Sequence, residues 1–256
     1  MKKSLMAGII IVIIVIAAAG VYLLTQNQTP SNTLVVGTNT PFPPFEYTLP
    51  NGTVTGFDMD VIRALAVNAG YSGITIKNLA SFDDLVPALQ SGQIDVIAAG
   101  MTIRPDRQTQ VNFTSPYWQA DQSILVLNSS SFRPQTMADL AGKTVGVQSG
   151  TTGESLANDN NATLGPIKPY DTFLLAVLDL VNGRVNAVIV DSPVAVAFTA
   201  QYPVTVSSTV QTHEVWGFAV KIGNTVLLNK LNTALASFEG SAQWNALITQ
   251  YFGTSG

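Results

Sequence analysis

Two stretches of this chain repeat one another: "LVPALQSGQIDVIAAG" at residues 85–100 aligns without a gap on "AVLDLVNGRVNAVIVD" at 176–191. Each reads as an apolar helical run, a turn closed by a glycine (Gly92, Gly183) and a β-branched strand that follows at once. A helix feeding directly into a buried strand is the building unit of a layered α/β sheet. Two similar units predict two similar α/β lobes, although any pair of such units shares part of this pattern by accident. The alignment sets Gly100 over Asp191. Both positions then fall at the C-terminal edge of a parallel strand, where open α/β sheets bind ligands.

The remaining segments supply elements for both lobes. "LVVGT" at 34–38 reads as a buried strand entering the proline-rich loop "NTPFPPFEY", and "NGTVTG" as a hairpin turn. From Phe57 the positions Met59, Ile62, Leu65, Ala66 and Ala69 recur at helical spacing and stop at Gly70. Ser81, with Asp84 three residues on, is the expected N-cap of the helix that ends at Gly92, before a strand over 94–99. "LAGKTVGVQSGTTGESLA" reads as a strand over 144–147, a Gly/Ser/Thr loop and a helix start. Free N–H groups there suit an anion, but the same residues also make ordinary turn and capping chemistry. "GKT" is not a nucleotide loop, because that motif needs glycine where Met137 stands. The strand-like "EVWGFAVKIG" and "SILVLNSS" (123–130) are expected to join the lobes as a hinge. Two amphipathic helices separated near Gly240 end the chain.

Composition narrows the function. Sixteen acidic against twelve basic residues, a net charge of -4 and no long run of either sign give no footprint for nucleic acid. With no cysteine and one histidine, His213, disulfides, thiol nucleophiles, cysteine metal sites and a lipid-modified cysteine are excluded, and no metal or cofactor site is expected. Residues 5–24 carry no charge and are long enough to span a bilayer as a helix. Lys2 and Lys3 before them predict a cytoplasmic start and an extracytoplasmic domain after residue 25. Cleavage as a signal peptide after Ala17-Ala18-Ala19 is the competing expectation. In a chain with only 11% charged residues, "AAGMTIRPDRQTQVNFTSPYW" places Arg104 and Arg107 close together, which raises the question of an anion.

"LVVGTNTPFPPFEY", "GFDMDVIRALA", "LVPALQSGQIDVIAAGMTIRPDRQTQVNFTSPYW", "GKTVGVQSGTT", "NGRVNAVIVDSP" and the terminal "YFG" occur in this order. Together they resemble the polar amino-acid solute-binding proteins of ABC importers, bacterial extracellular solute-binding protein family 3, over nearly all of residues 34–253. The resemblance implies an α/β, bilobal periplasmic-binding-protein-like fold of type II, with two lobes joined by two hinge strands. One lobe comprises 34–120 plus 217–256 and the other 121–216, after an anchor or signal and linker over 1–33. It implies a monomer that closes on one free polar L-amino acid and delivers it to an ABC permease, without catalysis.

The resemblance further implies that Arg107 receives the ligand α-carboxylate, helped by Thr102, Thr152 and the neighbouring Thr151. A guanidinium suits that task because it forks onto a carboxylate. Asp191, with the carbonyl of Gly100 beside Ala99, would hold the α-ammonium, and Phe42 and Phe82 would sandwich the side chain. Phe45 is assigned to the core and Arg104 to solvent or a surface ion pair. Asn39 and Gln148 stand where relatives that hold charged or amide ligands carry aspartate and lysine. The missing aspartate points to a neutral, glutamine-like ligand, since a desolvated cation needs a paired charge. Glu46 or Asp58 remain as carboxylates for a basic ligand such as arginine. Two other readings are an anchored amino-acid sensor and a cyclohexadienyl or arogenate dehydratase on the same scaffold. The dehydratase needs a general acid, for which no glutamate was assignable.

Overall fold

The alternation of β1 (Thr33–Thr38), with Leu34 and Val36 fully buried, places one side of the strand in the core and leads into the proline-rich loop. This computed structural model describes residues 32–253, so the apolar span 5–24 and its anchoring or cleavage lie outside the described residues. Among the described residues no helix is long and apolar enough to cross a membrane. After the loop, the hairpin strands β2 (Tyr47–Thr48) and β3 (Val54–Thr55) precede α1 (Phe57–Asn68) and β4 (Gly73–Asn78). A 3-10 turn, Phe82–Asp84, then opens α2 (Leu85–Gln90), and Ser81 caps the turn by accepting from the Asp83 N–H.

Only Val96–Ile97 of the strand expected over 94–99 forms β5. It pairs in parallel with β1, and the left-handed turn at Gly100 (φ 52) ends the run. The short α3 (Pro105–Gln108) and β6 (Val111–Phe113) follow. The second sheet comprises β7 (Trp118–Leu127), β8 (Val145–Gln148), β9 (Ile167–Tyr170), β10 (Ala187–Asp191) and β11 (Val204–Trp216). Between these strands lie α4 (Thr152–Asp159), α5 (Phe173–Val181) and α6 (Ser192–Thr199). The chain then re-enters the first sheet as β12 (Ala219–Lys221) and ends in α7 (Thr225–Phe238) and α8 (Ala242–Phe252), separated at Gly240.

The strand orders are β4-β1-β5-β12-β6 and β11-β7-β10-β8-β9. The two repeated units therefore deliver β5 and β10 to the centres of different sheets. The chain passes between the sheets at residues 114–117 and at Gly217–Phe218. "SILVLNSS" is not a connection, contrary to expectation: Ile124, Leu125 and Val126 are fully buried within β7, between β10 and β11. Their apolar run reflects burial on both faces of a sheet.

An aromatic cluster fixes the crossings. Phe45, fully buried as expected of a core residue, meets Trp216 edge-on at 4.8 Å and Trp118 at 5.1 Å. Trp118 and Trp216 are register partners of β7 and β11, so one side chain of the proline-rich loop braces both strands at the hinge. Phe252 of α8 completes the cluster, 4.5 Å from Trp118. Gly56 allows the close approach of α1 to this loop: at φ 136, a Cβ there would stand 2.1 Å from the Phe45 carbonyl oxygen. Gly56→Ala is therefore expected to destabilise the domain by about 2 kcal/mol or more, read as a fall of several degrees in Tm.

Candidate functional site

The structure gathers the residues singled out from the sequence around one cavity between the two sheets. From the first sheet's side come Asn39, Phe42, Phe82, Ala99, Gly100, Thr102 and Arg107; from the second come Gln148, Thr151, Thr152 and Asp191. Two further lining residues, Glu46 and Phe173, were not placed in the site from sequence. Phe173 carries no signal beyond apolar helix periodicity. Glu46 reads from sequence only as one of two carboxylates open to a basic ligand.

Arg107, on α3, is buried, with 6% of its surface exposed. Its Nη1 donates to the Thr102 carbonyl at 2.9 Å, and its Nη2 to the Gly150 carbonyl across the cleft at 2.8 Å. The guanidinium carbon also lies 5.5 Å from the centre of the Phe82 ring. Among the described residues no ion pair reaches it. Desolvation, reinforced by nearby Arg104, lowers its pKa to about 10. A buried cation held by two carbonyl dipoles and an aromatic ring has the chemistry to receive an anion.

Asp191 ends β10 at the position the repeat predicts. Burial, and then the charge of Glu214, raises its carboxyl to about 8, while a bond from the Gln122 amide at 3.0 Å works in the opposite direction. Glu214, on β11, is a polar hub that the sequence did not disclose. It accepts from the Thr102 and Thr152 hydroxyls, both at 2.7 Å, and from Thr212 and Gln122, both at 3.0 Å. Thr102 and Thr152 thus commit their hydroxyl protons to one carboxylate from opposite sides of the cleft. Its strand-like surroundings gave no cue, because its partners lie as far as 112 residues away in sequence.

Gly100 holds φ 52, and a Cβ on it would meet the Phe42 ring at 2.5 Å. Its N–H donates to the Asp58 carboxylate at 3.0 Å, as does the Tyr117 hydroxyl at 2.6 Å. Asp58, raised by burial to about 7, is therefore occupied in holding the Gly100 turn. Glu46 differs: it is 1% exposed, both its carboxylate oxygens lack a hydrogen-bond partner, and burial drives its pKa well above the ordinary value. The Gln148 amide donates to the Asn39 side-chain oxygen at 2.7 Å and to the Asp171 carbonyl at 2.8 Å, and the Asn39 amide donates to the Leu79 carbonyl at 2.9 Å. Thr151 caps α4 by accepting from the Glu154 N–H at 3.3 Å. His213 is surface-exposed, 3.9 Å from Asp121.

The profile of the bacterial extracellular solute-binding proteins, family 3, matches residues 34–254. A putative ABC transporter arginine-binding protein 2 of Escherichia coli (strain K12) is 34% identical, over 98% of this chain and 99% of its own length. A probable histidine-binding protein of Campylobacter jejuni is also 34% identical, over 86% of this chain and 85% of its own. Among solved structures, an ancestral arginine-binding protein bound to glutamine superposes with a TM-score of 0.82 and 38% identity, covering 87% of this chain and 99% of that one.

Three carboxyls buried beside one another make stability depend on pH. Asp191, Asp58 and Glu46 all have folded pKa values above their unfolded values of 3.8 and 4.5. Between pH 5 and 8 the folded state binds more protons than the unfolded state, so stability must fall as pH rises through that window. Thermal unfolding of the ligand-free protein should show Tm declining from pH 5 to pH 8; a flat or rising Tm would show that these groups are ionised and solvated.

Proposed function

This chain belongs to the bacterial extracellular solute-binding proteins, family 3, and on that premise we propose that it binds a free polar L-amino acid outside the cytoplasm and delivers it to an ABC permease. The observation that carries this reading is the placement of Arg107 and Asp191 on opposite sides of one cavity. A zwitterion has one group for each. Its carboxylate neutralises the buried guanidinium, and its ammonium stabilises the ionised form of Asp191. A ligand that touches both lobes only when they meet favours the closed arrangement by its differential affinity. Release without chemistry completes the cycle, and the relatives named as binding proteins favour this reading over the dehydratase one.

Glu46 favours a cationic side chain over the neutral, glutamine-like one expected from Asn39 and Gln148. Those two residues spend amide protons on one mutual bond and on the Leu79 and Asp171 carbonyls, while Glu46 lines the cavity with two unpartnered oxygens. A guanidinium or ammonium there would satisfy those oxygens and offset the cost of ionising the carboxyl. The name of the E. coli relative, an arginine-binding protein, agrees with this preference.

A thermal-shift screen of the twenty amino acids is expected to single out L-arginine as the strongest stabiliser. Arg107→Ala should weaken its binding on the order of 10²-fold or more, since removing one partner of a buried charge pair costs roughly 2–5 kcal/mol. Glu46→Gln should weaken arginine but not glutamine. Equal stabilisation by glutamine would overturn the cationic preference alone; no response to any amino acid would overturn the whole reading.

A further inference from the structure

We propose that Arg104 is a positioning residue that latches the closed cleft through Ser155 without touching the ligand; the proposal rests on ligand closure as read above. Arg104 stands just before α3 in the first lobe, and Ser155 lies on α4 in the second. The guanidinium is fixed within its own lobe by a fork onto Asp106, with Nε at 3.0 Å and Nη2 at 2.6 Å from the two carboxylate oxygens. Its Nη1 is left to cross the cleft, where it donates to the Ser155 hydroxyl at 2.7 Å.

Donor arithmetic supports the direction of this bond. The Ser155 hydroxyl spends its proton on the Thr151 carbonyl at 3.2 Å, so its oxygen is free to accept. Thr151 caps α4 and lines the cavity. Arg104 thus holds, from the opposite lobe, the helix end at which Thr151 and Thr152 line the cavity. Because Asp106 already orients the guanidinium, little side-chain freedom is lost when the bond forms. Arg104 does not line the cavity; it forms the surface ion pair expected from sequence, with Asp106, and adds an interlobe bond.

A bond that exists only in the closed arrangement slows opening and leaves encounter unchanged, so it acts on the dissociation rate. Stopped-flow measurements on the full chain with L-arginine as the probe should show Arg104→Ala and Ser155→Ala each raising the dissociation rate about three- to tenfold. The association rate should be unchanged, and the double variant should be no faster than either single one. Additive effects, an unaltered dissociation rate or a slower association rate would overturn the latch.

A second readout does not depend on the ligand. The chain has no cysteine, so Gln110→Cys and Asp159→Cys give one spin label on each lobe. With no amino acid added, Arg104→Ala should reduce the closed population in the interlobe distance distribution. An unchanged distribution would overturn the latch. If L-arginine fails to bind the unaltered protein, the ligand reading fails, while this distance measurement still decides the latch.

Discussion

The desolvation of Arg107 is the constraint on which the rest of the site depends. A guanidinium that is 6% exposed must be compensated, and here two carbonyls, one from each lobe, supply only dipoles. One of those carbonyls belongs to Gly150, and a Cβ on that glycine would stand 1.8 Å from an Asp83 oxygen. The lobes therefore meet at this point with no room for a side chain. The cation, the Gly/Ser/Thr loop that faces it and the hinge that brings them together form one mechanical unit.

Around that cation the cavity gathers more negative groups than it can ionise. Asp191, Glu46 and Asp58 are each pushed upward, with burial the first cause in every case. Asp58 uses one oxygen to hold the N–H of Gly100 and the Tyr117 hydroxyl. Asp191 and Glu46 are left with ionisations that a ligand cation would make favourable. Glu214 keeps the threonines of both lobes aligned by accepting hydrogen bonds from their hydroxyls. On the proposed reading, recognition would exchange protons held by carboxyls for positive charge brought by the ligand.

The architecture was legible where the signal was local. Gly92, Gly183 and Gly240 all end helical runs with positive φ, at 75°, 70° and 73°, because glycine alone adopts that conformation cheaply. The pairing of Gly100 with Asp191 followed from the internal repeat. What could not be read depended on contacts far apart in sequence. Glu214 looks like any residue of a long strand, and Glu46 like the end of a proline-rich loop, until the fold seals one into a hydroxyl hub and the other beneath the cavity. Residues 123–130 read as a hinge in sequence because an apolar run buried on both faces of a sheet looks the same as a connecting strand.

The central claim is that one zwitterion bridges Arg107 and Asp191, and blocking its two ends separately tests this most directly. Calorimetric titration would compare L-arginine with its methyl ester and its N-acetyl derivative. If the zwitterion bridges the cleft, the ester loses the Arg107 contact, the acetyl derivative loses the Asp191 contact, and each binds at least on the order of 10²-fold more weakly than the parent. An ester or acetyl derivative that binds as tightly as free arginine would contradict the bridge.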